Sequence, residues 1–292
     1  MKRLALALLA VVLAVVCVLV IRTASFTSRQ APAAAGDPIQ LDDSAAVERF
    51  AHALRFRTIS FGDSGPPRAA LLSMRAYIDS AFPRVHASVP REVVNDYALL
   101  YTWRGTDTTL PPVVLMAHMD VVPVEPGTEG RWTHPPFDGA VAEGYIWGRG
   151  AIDDKVGVLA ELEAVEHLLG TGFRPTRTMY LAFGHDEEVA GTGAEAVARL
   201  LRSRGVSPAL VLDEGGAVTR GLVPGVPGAV ALIGIAEKGY VSVALTAEEN
   251  GGHSSSPPPE TTVGIVSKAV ALLEREPFPA RLGGATEAML DA

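Results

Sequence analysis

Four groups of acidic and histidine residues follow apolar runs in the middle of this chain. His118 and Asp120 follow Val113–Ala117, and Asp153 and Asp154 follow Gly148-Arg149-Gly150-Ala151-Ile152. Glu187 and Glu188 follow Leu181-Ala182-Phe183-Gly184-His185-Asp186, and Asp213 and Glu214 follow Ala209–Leu212. If the runs are parallel strands, all four groups emerge along one edge of one sheet, where open α/β folds place their sites. One imidazole and several carboxylates meeting there suit a hard-to-borderline cation: zinc, with cobalt or manganese as alternatives. The single cysteine, Cys17, lies in the N-terminal apolar run, so thiolate ligands and disulfides are excluded from the rest.

Each group has a chemical reading beside a plain one. His118 and Asp120 are two apart at a strand end, so they leave the same face and the acid can orient the imidazole. Asp153-Asp154-Lys155 opens a helix, for which one aspartate suffices as a cap. The second carboxylate is then free to bridge two ions. Glu187 and Glu188 are adjacent at a strand end and point different ways, so one can ligate while its neighbour takes a proton from a water. Asp213 alone would be a turn residue. Four strand ends each delivering a metal-competent side chain make surface decoration the poorer account.

The elements that must position these residues follow from hydrophobic periodicity. Helices are expected from Asp42 through Leu54, over Arg68–Phe82 up to Pro83, over Val156–Leu169 and over Gly193–Arg204. Strands are expected over Ala98–Trp103, Val113–Ala117 and Met179–Phe183, with a buried strand over Ala209–Leu212. A long loop with many Pro and Gly, Val121–Gly144, reads as a site rim. The βαβαβ alternation predicts an α/β fold, a mainly parallel sheet with helices on both faces. Near Glu237 the pattern changes. Gly239–Thr246 alternates like a half-buried strand, Gly251–Pro258 is a tight loop and Thr262–Leu273 an amphipathic helix, suggesting the start of an α+β domain.

Met1-Lys2-Arg3 precedes Leu4–Ile21, an uncharged apolar run. As a helix it rises about 27 Å, close to a bilayer core. It reads as an uncleaved anchor or a cleaved signal, and the flanking positive charge puts the body outside the cytoplasm in either case. The expected division is an N-terminal anchor or signal over residues 1–21, a linker over 22–40, a metal-dependent catalytic domain over 41–236 and a second domain over 237–292. At 292 residues with 48% hydrophobic content the chain can bury a large core, and a net charge of −8 excludes nucleic acid as a partner.

In combination, Ala117-His118-Met119-Asp120, Gly148–Lys155, Asp186-Glu187-Glu188 and Gly252-His253-Ser254-Ser255 resemble the M20 family of metallopeptidases. The loop Trp132-Thr133-His134-Pro135-Pro136-Phe137-Asp138-Gly139 is similar to the carboxypeptidase S-like branch, which includes the N-fatty-acyl-amino-acid synthase/hydrolase. The resemblance implies a two-zinc amide hydrolase acting on peptides or N-acyl amino acids. His118 and Asp213 would hold one ion, Asp153 would bridge, Glu188 would hold the other, Glu187 would be the general base and Asp120 the support of His118. It implies a cis bond between Asp153 and Asp154. It also makes residues 237–292 the start of a lid or dimerisation domain, whose His253 helps hold the substrate carbonyl in a homodimer. The family's final histidine ligand has no counterpart before Ala292, so the chain reads as a fragment with one site short of a ligand, weak or single-metal occupancy and little turnover. Two rivals remain open: an aminopeptidase of the M28 kind, and a non-catalytic binding protein that has lost a ligand.

Overall fold

The computed structural model describes residues 2–27, 43–62, 65–223, 226–237, 239–253 and 255–290. In chain order the elements are helices α1 (Lys2–Ser25), α2 (Asp43–Ala53), α3 (Arg68–Ala81) and α4 (Pro83–Ser88), then strands β1 (Arg91–Val94), β2 (Ala98–Trp103) and β3 (Val113–His118). There follow β4 (Ala140–Ala142), β5 (Tyr145–Trp147), α5 (Lys155–Gly170), β6 (Met179–Gly184), α6 (Thr192–Ser203) and β7 (Leu210–Leu212). Beyond them lie β8 (Val218–Arg220), β9 (Ala229–Ala231), α7 (Thr262–Arg275) and α8 (Gly284–Leu290). The linker expected over 22–40 falls mostly outside the described residues, as does Ser254; residues 22–25 continue α1.

The chain divides into two compact units, one of residues 38–215 and one of residues 1–37 with 216–292. The first unit is built on a five-stranded sheet in the order β1-β2-β6-β3-β7. β3 pairs in parallel with β6 and β7, whereas β2 is antiparallel to both of its neighbours, β1 and β6. Four strands therefore run one way and β2 alone opposes them, so the sheet is mainly parallel with one reversed strand.

Strand alternation sorts the core. Leu99, Tyr101, Trp103, Ala117, Leu181 and Phe183 face a cluster with Val158, Leu159, Leu162 and Val165 of α5 and Leu71, Met74 and Ile78 of α3. Ala98, Leu100, Val114 and Ala182 face the other way, onto Val197 and Leu201 of α6. One-residue alternation in three strands thus feeds two helical layers, as a sheet covered on both faces requires.

Polar contacts lock the α5 layer. Pro83 ends α3 and begins α4, where its missing N–H costs nothing. The buried Glu166 carboxylate accepts the N–H groups of Arg84 (3.2 Å) and Val85 (2.9 Å), an anion at the positive end of α4. Arg49 of α2 donates to both oxygens of Glu163 of α5, at 2.5 and 2.7 Å. Gly139 lies against α2 with φ +58°, and a Cβ there would fall 1.9 Å from the Ala51 carbonyl oxygen.

Three expectations are corrected. β7 is not a buried strand: Leu210, Val211 and Leu212 are 50–53% exposed, because β7 is an edge strand paired only with β3. The Val121–Gly144 loop carries a 3₁₀ turn at Glu129–Arg131 and half of the β4–β5 hairpin, whose turn uses Glu143 and Gly144 at positive φ. Gly239–Thr246 forms no strand. Alternation supports a strand only where a neighbour takes up its ladder, and none is paired to it among the described residues.

In the second unit β8 and β9 form an antiparallel pair, and Thr261 caps α7 by accepting the Gly264 N–H at 3.2 Å. Helix α1 is long and apolar enough to cross a membrane.

Candidate metal centre

β3 and β6 end level, with His118 opposite Gly184. The chain leaving β3 is clipped to residues 58–60: the Val121 N–H donates to Thr58 O at 3.0 Å, the Ser60 N–H to Val121 O at 3.0 Å, and the Thr58 hydroxyl to Met119 O at 2.6 Å. That clip fixes Asp120, which is fully buried. Asp120 presents both its carbonyl oxygen, at 3.1 Å, and its Oδ1, at 3.2 Å, to His118 Nδ1. The same carboxylate accepts the N–H groups of Glu187 (3.0 Å) and Glu188 (3.2 Å). One buried acid therefore sets the imidazole and both glutamates, a second duty that residue spacing alone does not reveal.

With Nδ1 committed to Asp120, Nε2 of His118 faces acids. Asp153 Oδ1 is 2.9 Å away, Glu214 Oε1 3.3 Å and Glu187 Oε2 3.8 Å. Ligand atoms of His118, Asp153 and Glu214 all lie within 4.8 Å of one another. Burial disfavours a charged ring, yet Asp120, Asp153 and Glu214 outweigh it and hold the imidazole up to about 10. Burial, opposed by His118 and reinforced by Asp154 and Asp153, pushes Glu214 up to about 7. A single ring proton underbalances this much negative charge. The donor set is therefore what a dication with nitrogen and oxygen ligands requires, and the residues fit such an ion.

The remaining expected residues are placed as follows. Asp153 and Asp154 are joined by a cis peptide bond. Asp154 caps α5, accepting the Gly157 N–H at 3.1 Å. Glu188 is half-buried and its Oε1 accepts the Val122 N–H at 3.2 Å; burial, then Asp153, raises its pKa. Glu187 keeps 52% of its side chain exposed, and burial is the first cause of its raised pKa. Asp213 does not reach His118 in an ion pair. Its Oδ1 accepts the Glu214 N–H at 2.9 Å, and Glu214 is the acid the structure brings to the imidazole. The only signal for Glu214 was its adjacency to Asp213. His253 belongs to the second unit, exposed, with the Ser255 hydroxyl 3.0 Å from its Nδ1.

Two buried groups behind the cluster were not foreseen. Lys155 is fully buried and donates to Ala53 O (3.2 Å) and Phe56 O (2.5 Å), tying the end of α2 to the turn that presents Asp153. Burial pulls its ammonium down to about 7. Glu161 lies two helical turns beyond Asp154 on α5. Burial, then the charges of Asp154 and Asp213, pushes it up to about 8. Asp154 Oδ2 and Glu161 Oε2 are both buried without a hydrogen bond.

The family model described as peptidase family M20/M25/M40 matches residues 114–290. The chain is 38% identical over 275 residues to a probable carboxypeptidase S-like 2 of Dictyostelium discoideum, covering 90% of this chain and 53% of that protein. It is 42% identical over 263 residues to an N-fatty-acyl-amino acid synthase/hydrolase of Mus musculus, covering 88% and 52% respectively. To carboxypeptidase S of Saccharomyces cerevisiae it is 38% identical over 248 residues, covering 80% and 42%. The chain spans about half the length of the curated relatives it matches. Among solved structures, human carnosine dipeptidase 1 aligns with a TM-score of 0.50 at 20% identity over 61% of this chain and 40% of that one, a likeness of fold.

Proposed function

The chain belongs to peptidase family M20/M25/M40, and on that footing we propose that it serves a zinc-dependent hydrolase of amide bonds in peptides or N-acyl amino acids. The observation that carries the reading is His118 Nε2 facing Asp153, Glu214 and Glu187 at the edge of the sheet with Asp120 behind it. In this proposal His118 and Asp153 hold zinc together with an acid of the Asp213–Glu214 pair, and Glu188 holds or completes a second position. Zinc held there supplies Lewis-acid polarisation of the amide carbonyl and acidifies a water.

The protein's own groups do the rest. Asp120 keeps Nδ1 of His118 protonated and Nε2 free to ligate. Glu187, half-exposed beside the cluster, is the general base: it takes a proton from the attacking water and delivers it to the departing nitrogen. His253, in the segment we read as the start of a lid or dimerisation domain, would steady the carbonyl oxygen in a homodimer. The α1 helix would anchor the body outside the cytoplasm. M20 membership sets this reading apart from the M28 alternative.

The test is zinc content by elemental analysis together with release of amino acid from N-acyl substrates. Failure of the chain to take up any zinc, or failure of a protein carrying it at the relatives' full length to cleave any such amide when loaded, overturns the proposal and favours a non-catalytic binding protein.

A further inference from the structure

The turns that carry the metal cluster share one support, the chain leaving α2 over residues 53–60. Lys155, two residues after Asp153, sends its ammonium to Ala53 O at 3.2 Å and Phe56 O at 2.5 Å. The Phe56 carbonyl also accepts the Thr58 N–H at 2.9 Å. Thr58 in turn grips the other turn at two atoms: its hydroxyl donates to Met119 O at 2.6 Å and its carbonyl accepts the Val121 N–H at 3.0 Å. Polar contacts therefore run without a break from the Asp153 turn, through Phe56 and Thr58, to the residues on either side of Asp120.

This path is sealed from water, since Ala53, Thr58, Val121 and Lys155 are fully buried. A buried ammonium is costly unless its donors are bonded. Lys155 has no ion-pair partner among the described residues, and its bonds go to two carbonyls of one segment. A methionine would fill the same space with no charge to bury, so what the lysine adds is the grip on residues 53–56. The fit leaves no slack: a Cβ on Gly150 would lie 2.8 Å from Val121 Cγ1 and 3.2 Å from Lys155 Cδ. His118 Nε2 and Asp153 Oδ1, 2.9 Å apart, are the atoms that the two supported turns bring together.

We propose that residues 53–60 are a strap that positions the metal ligands. Lys155 ties its start to the Asp153 turn, Thr58 ties its end to the turn after His118, and the two ties hold imidazole and carboxylate at ion-binding separation. Neither residue touches the ion, so both are positioning residues. The proposal rests on the metal-dependent reading of the cluster. Groups that hold metal ligands from behind commonly control affinity by about 10–100-fold.

The test measures Zn2+ affinity of the full chain by competition with a chromogenic chelator, the visible spectrum of Co2+ bound in its place, and the melting temperature without metal. Lys155→Met keeps the stem and removes the donors, and Thr58→Val keeps the shape and removes the hydroxyl. Each is expected to weaken zinc at least about tenfold and to change the Co2+ spectrum, whereas Thr58→Ser, which retains the hydroxyl, keeps both as in the wild type. If Lys155→Met and Thr58→Val move only the melting temperature, the strap serves folding alone and the proposal is overturned. A Thr58→Ser chain as weak for zinc as Thr58→Val overturns it too. If Lys155→Met does not fold, the two Thr58 variants decide on the same criteria. The imidazole 15N resonances of His118 in the zinc-free chain separate the strap from the reading beneath it. No zinc uptake by the wild type, with those resonances moved by Thr58→Val and restored by Thr58→Ser, would sink the metal reading and leave the strap standing. Zinc uptake indifferent to both ties does the reverse, and no uptake with unmoved resonances sinks both.

Discussion

Asp120 shows how much one buried side chain can organise. It touches His118, Glu187 and Glu188 at once, so ligand and base cannot be displaced independently. Glu187→Gln keeps the shape and the backbone bond to Asp120 but loses the proton acceptor. In a protein carrying this chain at the relatives' full length, turnover should fall at least ~100-fold while zinc content holds, checked by assay and elemental analysis side by side. Loss of zinc instead would reverse the two glutamates. Glu214→Gln and Asp213→Asn separate the paired acids: the geometry predicts that Glu214→Gln weakens zinc affinity more, as read by competition with a chromogenic chelator. Glu161 gives a prediction in pH. Its carboxyl titrates at about 8 folded against 4.5 as a free side chain, so the stability it contributes is full below about pH 4.5 and drains as pH rises through 8. Urea unfolding at pH 5 and pH 8 should differ by on the order of 2 kcal/mol in the wild type, and Glu161→Gln should flatten that difference. The meeting of His118 and Asp153 was legible because each closes an apolar run or a glycine turn. Glu214 was not, because the turn after β7, rather than residue type, decides which of two neighbouring acids faces inward. Glu161 was not, because a helical glutamate's burial depends on what packs across it.

At the level of elements, the strands that were read correctly are those whose alternation is used twice. β2 and β6 send successive residues to the α5 and α6 layers, so pattern and packing agree. The helix ends were legible wherever Pro83, Asp154 or the Gly170–Gly172 pair marked them. Gly239–Thr246 has the same alternation without a partner strand, and β7 has apolar residues on an edge that leaves them half exposed. Periodicity reports what a segment could bury, whereas burial also needs a neighbour. β1 and the β4–β5 hairpin escaped notice because runs of three or four residues are too short to show a period. Gly139 tests one junction. In Gly139→Ala the new methyl meets the Ala51 carbonyl at 1.9 Å in a backbone already at positive φ. That should cost about 1–3 kcal/mol or more and lower the melting temperature accordingly.

For the molecule as a whole, α1 sets the expectation for location. Its 23-residue apolar stretch, Arg3–Ser25, carries no acidic residue, and expressed protein should stay with membranes through an alkaline carbonate wash. A form beginning after Phe26 should move to the soluble fraction, and a wild-type chain found wholly in the soluble fraction would refute the anchor. The fold class was readable across this scale because βαβ alternation constrains topology, whereas the reversed β2 was not, since it is buried on both faces and so reads like a parallel strand. The convergence at His118 has one more consequence. Asp153 lies 35 residues from His118 along the chain, and the acid that steadies the imidazole lies 67 residues from the glutamate it also binds. An ion held between His118 and Asp153 would be a reversible cross-link. It would close loops that an unfolded chain must close at entropic cost, so its release would loosen the sheet edge rather than empty a pocket.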